Sequence, residues 1–363
     1  MDEEAYMGFV VPGVIAFSLG ILIFAPRYSF TKTYEDIQKL VTEQPKLAYR
    51  LIAIGLISTY LNPYMPAAIG FVLYLTAAFQ YVGLALLLFQ PHSKKKWIWF
   101  AAIMGALAVS SIVKGMFHDL ILWSVLLFSY VLVQFKVNFL GKLLIILAGL
   151  AVAALIQSIK SELRSNKEEQ GTGQRITLFS DLLKERIEGE ELNNEEILTE
   201  MASVRLNQGW IISSILFNVP RYEPFADGET IMEALTSSIL PRFLVPSKKV
   251  AGGRENFRQF SGLQISDGTS MGASVIGEAY ANYGNYGGWI FMFIWGAFLA
   301  WGLSMMVNYG RRHPIIYVFI PLIFLQVIKA ETELSVVLNH FVKSSLLVFL
   351  FLWGARNVLK WKI

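Results

Sequence analysis

An all-α polytopic membrane protein, with about nine transmembrane helices and one large, mainly helical extracytoplasmic loop, is the fold class this chain predicts at ~20 apolar residues per span. Three observations predict it. Only 16% of the 363 residues are charged while 55% are hydrophobic, against about 25% charged in an average soluble domain. The apolar residues are gathered into long runs separated by short basic or polar stretches. A single polar tract, residues 160–286, interrupts the pattern.

The first run, residues 7–25, is too long for a signal-peptide core and follows the acidic Asp2, Glu3 and Glu4, so it reads as a span. A polar, partly amphipathic stretch with Lys32, Lys39 and Lys46 fills residues 27–50. Spans over 51–64 and 67–89 are joined by the tight Asn62-Pro63-Tyr64-Met65-Pro66 turn; the former is the shortest of the N-terminal set. After Lys94, Lys95 and Lys96 come spans at 97–113, 120–135 and 139–159, and beyond the polar tract come 287–307, 315–328 and 342–358. The chain therefore divides into an N-terminal bundle of about six spans (1–159), the large loop (160–286) and a C-terminal bundle of about three (287–363).

Basic residues are retained in cytoplasmic connections, because moving them across the bilayer is disfavoured. With Lys94, Lys95 and Lys96 inside, parity puts residues 27–50 inside, the acidic N-terminus outside and the large loop outside. It also puts Arg311, Arg312 and the C-terminal Arg356, Lys360 and Lys362 inside. Independent basic clusters agree on one parity.

The net charge of +4 reports topology more than partners. No basic stripe is interleaved with stacking aromatics, which gives a nucleic-acid partner little support. The absence of cysteine excludes disulfides, thiolate catalysis and thiolate metal sites. His92, His118, His313 and His340 are scattered over separate segments, so no metal site is expected. No phosphate-cradling GxxxxGK[ST] loop or HExxH helix occurs, and no cofactor is expected.

The large loop has two halves. Residues 160–200 are acidic, with Leu178, Leu182, Leu183 and Ile187 at helical spacing; residues 234–258 are basic. Between them, residues 210–219 are apolar and read as a helix at or near the membrane surface. Arg205, Arg221, Arg242, Lys248 and Lys249 concentrate positive charge, with Arg254 close behind. Arg221 and Arg242 each follow a proline. Guanidinium forks grip phosphate bidentately, and two or three could hold a pyrophosphate without a metal. Headgroup snorkelling or capping of loop helices fits the same composition. Glu278 precedes a span within a run of small residues and tyrosines, where a carboxylate could accept a proton from a sugar hydroxyl. The tyrosines also fit as interfacial anchors and the glycines as helix contacts. Lys329, Glu331 and Glu333 end a span on the outer side, where ionisable groups are candidates for catalysis and a local ion pair at a helix end fits them as well.

Arg205-Leu206-Asn207-Gln208-Gly209, Pro220-Arg221, Gly228-Glu229-Thr230 and Leu240-Pro241-Arg242-Phe243-Leu244-Val245-Pro246-Ser247-Lys248 together resemble the large periplasmic loop of Wzy-type oligosaccharide repeat-unit polymerases. Gly272-Ala273-Ser274 and the run from Gly277 through Glu278 to Gly284 resemble the segment by which that family re-enters the membrane. The resemblance covers residues 205–288 and the pattern of spans, and such polymerases share a membrane glycosyltransferase architecture with O-antigen ligases. It implies a bacterial inner-membrane enzyme that joins undecaprenyl-pyrophosphate-linked repeat units of O-antigen, capsule or exopolysaccharide outside the cytoplasm. The donor and acceptor are lipid-linked glycans, and a chain-length regulator and a flippase are expected partners. It further implies that Arg205, Arg221, Arg242, Lys248, Lys249 and Arg254 bind pyrophosphate, with Arg242 and Glu278 catalytic. Members of that family usually carry more spans, so an N-terminal part that is reduced or incomplete is expected. An O-antigen ligase would use the same donor and a different acceptor. A transporter or flippase would show inverted repeats and midplane polar residues, and the spans here are largely uncharged.

The topology is testable because introduced thiols report without background. Single cysteines at Ser247 should label from outside, and at Lys95, Arg312 and Lys362 only after permeabilisation. Labelling of positions 95 and 247 from the same side would refute the parity.

Overall fold

A computed structural model describes residues 3–91, 93–135, 137–165, 171–188, 209–240, 253–265 and 271–361. The described residues form helices joined by turns and irregular segments, without strands. They form two compact units, one made of residues 1–40 with 208–363, the other of residues 41–207. Spatial pairing thus cuts across chain order: the first span belongs with residues 208–363.

Among the described residues, six helices are long and apolar enough to cross a membrane. In the first unit they are α1 (Glu3–Phe24), α13 (Ser274–Gly310) and α15 (Leu334–Asn357). In the second they are the apolar stretch Ile69–Leu88, formed by α4 (Ala67–Ala77) and α5 (Phe79–Leu88), then α6 (Lys95–Lys114) and α8 (Phe139–Ser165). The other three expected spans are shorter. Helices α3 (Leu47–Leu61) and α7 (His118–Phe135) have 15 and 18 residues, rising roughly 22 and 27 Å against a hydrocarbon core of ~30 Å. The expected span at 315–328 is helical only over α14 (Ile316–Ile323), which contains Pro321 and gives way to turns. Eight residues rise roughly 12 Å, too little to cross alone.

Helix α1 buries a single stripe. Phe9, Gly13 and Gly20 are buried, while Val11, Val14, Ile15, Leu19, Leu22 and Ile23 are exposed. An apolar surface of that kind suits lipid, not water. The stripe packs against α13 in parallel. A Cβ built on Gly20 would lie 2.2 Å from the Phe293 carbonyl oxygen, and one on Gly296 would lie 2.2 Å from the Phe17 carbonyl oxygen. Each helix therefore needs glycine where the other's backbone presses. Trp289 Nε1 donates to the Phe9 carbonyl at 3.0 Å and Ser304 Oγ to the Phe24 carbonyl at 2.9 Å. Lipid tails are as apolar as leucine, so this contact rests on close van der Waals approach and interhelical hydrogen bonds.

The second unit repeats the device between antiparallel helices. Cβ atoms on Gly55 of α3 and Gly83 of α5 would fall 2.2 Å from the Gln80 backbone nitrogen and 2.7 Å from the Ala48 carbonyl oxygen. Lys96, almost fully buried, donates to the carbonyls of Leu88 and Gln90 and so caps the C-terminus of α5. The amphipathic pattern of the acidic half of the loop becomes α9 (Thr172–Glu188), with Leu182 buried and Ile187 exposed.

At 37 residues α13 is ~55 Å long, well beyond a bilayer core. It breaks at Gly284, whose φ of 63° and ψ of −157° are non-helical. The Phe225 ring lies 3.2 Å from where a Cβ would sit, so glycine is required there twice over. The part before the break, residues 274–283, carries a helical cap made of α10 (Gly209–Asn218), α11 (Glu229–Ile239) and α12 (Arg254–Ser261). Ile211, Ile215, Val219, Phe257, Phe260, Ala273 and Ala281 form its core. Helix α11 packs on α15 through Ile231, Ala234, Leu334, Val337 and Leu338, joined by Met292, Trp295 and Leu299 of α13.

The glycine contacts predict a graded response. Gly20→Ala and Gly296→Ala should each destabilise the purified protein in detergent by ~1–3 kcal/mol or more, as overpacking does. Gly105→Ala, where nothing lies within 4 Å, should be neutral or mildly stabilising. Equal melting temperatures for all three would refute the close contact.

Candidate functional site

The helical cap of the first unit contains a cleft of about 840 Å³. It is lined by residues 213–214 and 216–222, by Ser261, Gly262 and Leu263 at the end of α12, and by Ala5 from the first turn of α1. Two apolar runs shape it. Helix α10 buries Ile211, Ile212 and Ile215 and leaves the next face to the cleft. The chain then turns at Asn218, whose side-chain amide donates to the carbonyls of Gln259 and Phe260 and ties α10 to α12.

Arg221 stands in this wall. Its guanidinium lies 4.9 Å from the centre of the Phe217 ring, and both side chains are exposed, as is Tyr222. A guanidinium supported on an aromatic face keeps its N–H edges free to point at an anion. Deeper in the cleft the hydroxyls of Ser213 and Ser214 differ. Ser214 Oγ donates to the Trp210 carbonyl at 2.8 Å. Ser213 is 8% exposed and its Oγ has no hydrogen-bond partner among the described residues.

Glu278 lies elsewhere. It is 0% exposed and is not among the described residues that line the cleft. Its Oε1 accepts the backbone N–H of Leu334, the first residue of α15, at 3.1 Å. The N-terminal amides of a helix have no partner within the helix, so Glu278 caps α15 from a neighbouring helix. Its Oε2 has no partner among the described residues. Glu333, 3% exposed, precedes Leu334 and accepts the Ser335 hydroxyl at 2.6 Å through its own Oε1. Among the described residues, the carboxyl groups of Glu333 and Glu233 act electrostatically on Glu278.

One turn on, Asn282 is also 0% exposed. Its amide donates to Thr230 Oγ1 at 2.7 Å and to the Glu278 carbonyl at 2.8 Å, and its Oδ1 accepts the Gly228 N–H at 3.1 Å. With the Ala226 N–H donating to the Ala281 carbonyl at 3.0 Å, these bonds fix the start of α11 to α13. Asn339 Nδ2 donates to Ser237 Oγ at 3.2 Å, and Lys343 Nζ donates to Asn339 Oδ1 at 2.6 Å, continuing the polar layer between α11 and α15.

Of the sequence-derived site residues, the structure thus places Arg221 at the cleft and Glu278 against α15. Arg254, half-buried, begins α12; its eight-residue helix separates it by roughly 10 Å of rise from the Ser261 end that lines the cleft. Arg205, Arg242, Lys248 and Lys249 lie outside the described residues. Of the histidines, His340 Nε2 is 2.8 Å from the Leu322 carbonyl and His313 Nε2 is 2.9 Å from Arg356 Nη1, while His92 is outside the described residues. No group of three metal-ligating side chains occurs among the described residues. Ser213 was missed because it sits in an apolar run read as a buried helix; the Ser213-Ser214 pair breaking that run was the available signal. Asn282 stood in the Gly/Tyr segment, but only the folded chain shows its three partners.

A family model for a domain of unknown function, DUF8712, matches residues 8–308. The chain belongs to that family. No curated protein and no solved structure matches it.

The Glu278 cap predicts that replacement by an apolar side chain is the damaging change. Glu278→Leu strands the buried Leu334 N–H and should lower stability by ~1–3 kcal/mol. Glu278→Gln keeps an acceptor for that N–H and should melt within a few degrees of wild type in detergent. The reverse order would remove the capping role.

Proposed function

We propose that this chain is a membrane glycosyltransferase of the Wzy type, polymerising oligosaccharide repeat units carried on undecaprenyl pyrophosphate at the outer face of a bacterial inner membrane. The observation that carries this reading is Arg221. A guanidinium braced on Phe217 stands in the wall of a cleft large enough for a sugar and a phosphate, and it lies within the stretch that resembles the polymerase loop. Six candidate spans support a lipid-borne substrate, because the same bilayer would hold the polyprenyl chain.

In this reading an acceptor hydroxyl attacks the anomeric carbon of the donor sugar. The new C–O bond forms as the bond from that carbon to the pyrophosphate oxygen breaks, and the lipid pyrophosphate departs with the electron pair. Arg221 offers a planar pair of N–H donors to the phosphoryl oxygens as negative charge builds on them. Arg205, Arg242, Lys248, Lys249 and Arg254 are the further cations of the reading. Glu278 is its candidate for receiving the hydroxyl proton, although as described it is wholly buried and faces α15 instead of the cleft. Neither a nucleotide nor a divalent cation is required by this scheme.

Purified protein supplied with a defined lipid-linked repeat unit should yield a ladder of polymers without nucleotide and in the presence of EDTA. Arg221→Lys and Arg242→Lys retain charge but lose the fork. Losing one or two charged hydrogen bonds of ~1.5–3 kcal/mol each should slow turnover roughly 10- to 10⁴-fold. No ladder with correctly inserted wild-type protein, or loss of activity on chelation that Mg²⁺ restores, would reject the scheme.

A further inference from the structure

We propose that α11 is a half-helix sunk into the bilayer from the side of the cap, with Met232, Leu235 and Ile239 against lipid acyl chains. The inference stands apart from the polymerase reading. It rests on the polarity of this one helix and on where the helix is held.

A helix that meets water buries its apolar side chains and exposes its polar ones. Helix α12 of the same cap obeys that rule: Phe257 and Phe260 are buried, and Glu255 and Gln259 are exposed. The outward face of α11 does not. Met232 is 61% and Ile239 68% exposed, with Leu235 exposed beside them, while Thr230, Ser237 and Ser238 are buried. The hydroxyls of α11 are all satisfied within the protein. Thr230 Oγ1 accepts from Asn282 Nδ2, and Thr236, Ser237 and Ser238 donate to the carbonyls of Met232, Ala234 and Leu235. Hydrocarbon demands this, because it holds no water to complete an unmet polar group. The two carboxylates of the helix, Glu229 and Glu233, lie in its first half, and no charge follows.

The neighbours of α11 set its depth. Ile231 and Ala234 share one core with Met292, Trp295 and Leu299, which all lie beyond the break of α13 at Gly284. Farther along, Asn339 of α15 donates to Ser237. Phe341, roughly 3 Å of rise past Asn339, packs against Phe298 and Gly302 of α13. At that level α13 turns Ile294, Trp301 and Met305 outward, as a segment facing lipid does. Helix α11 therefore runs beside two helices long and apolar enough to cross a membrane. Its 11 residues rise roughly 16 Å, about half of a ~30 Å hydrocarbon core. An exposed apolar face at this level meets acyl chains.

The test uses the full chain, which has no native cysteine, reconstituted in phosphatidylcholine–phosphatidylglycerol vesicles. A nitroxide is attached to a single introduced cysteine at Met232, Leu235, Ile239 or Glu255. Power saturation then reads collisions with oxygen, which concentrates in hydrocarbon, and with a nickel chelate, which stays in water. Met232→Cys, Leu235→Cys and Ile239→Cys should collide with oxygen and lose collisions with nickel, the oxygen-to-nickel ratio rising toward position 239. Glu255→Cys should show the reverse. The substituted side chains face outward, so each variant should melt close to wild type, and three positions leave a reading if one misfolds. Nickel collisions at Leu235 and Ile239 as frequent as at Glu255 would place this face in water and overturn the proposal. Scarce collisions with both reagents at Leu235 and Ile239 would mean that protein covers the face, from this chain or a second copy, and would overturn it equally.

Discussion

The first unit depends on how closely α1 can approach α13. Gly20 and Gly296 each admit the backbone of the other helix, and the side chains of Trp289 and Ser304 reach across to carbonyls of α1. Inside a bilayer no water is expelled when apolar helices meet, so contact distance and satisfied polar groups decide whether they stay together. This parallel pairing brings the first turn of α1 beside the cap, where Ala5 lines the cleft. The site is therefore built partly by residues more than two hundred positions away from its other walls. Gly55 and Gly83 accomplish the same between α3 and α5, where fully buried Leu47, Leu51, Ile52, Phe79 and Leu84 pack around the close approach.

A second constraint operates where α13 leaves the apolar region. Here polar side chains are buried and bonded both to backbone and to one another. Asn282 fastens the approach to α11, and Glu278 fastens the start of α15. Buried networks of this type rigidify what they join, since each lost bond strands a partner. The cap thereby inherits its geometry from a membrane helix, and the break at Gly284 sets the direction in which that helix presents it.

Hydropathy made the long helices legible. The runs at 7–25, 67–89, 97–113, 139–159, 287–307 and 342–358 each fall on a helix of spanning length, because exclusion of polar residues over some twenty positions has few other physical causes. The run at 315–328 failed as a span because hydropathy is blind to where a helix stops; Pro321 and the turns after Ile323 end α14 early. The pairing of α1 with α13 was not legible, since Gly20 and Gly296 look like any other small residues until their partners are known. In the site, the Pro220-Arg221 pair was readable as a stiffened, exposed cation. The Glu278 environment was not, because its partner Leu334 lies 56 residues away. Ser213 was hidden for the opposite reason: one hydroxyl scarcely alters the hydropathy of the run around it.

The bond between Trp289 and Phe9 joins residues 280 positions apart. At a synthesis rate of ~5–20 residues per second, α13 emerges roughly 15–60 s after α1. For that interval α1 is without its partner, and Pro12 leaves it lacking one amide of its own ladder. The carbonyl that Trp289 later occupies lies three residues before that proline. Until α13 is made, the glycine face of α1 has no backbone to press against, so the first unit closes no sooner than the chain is translated that far.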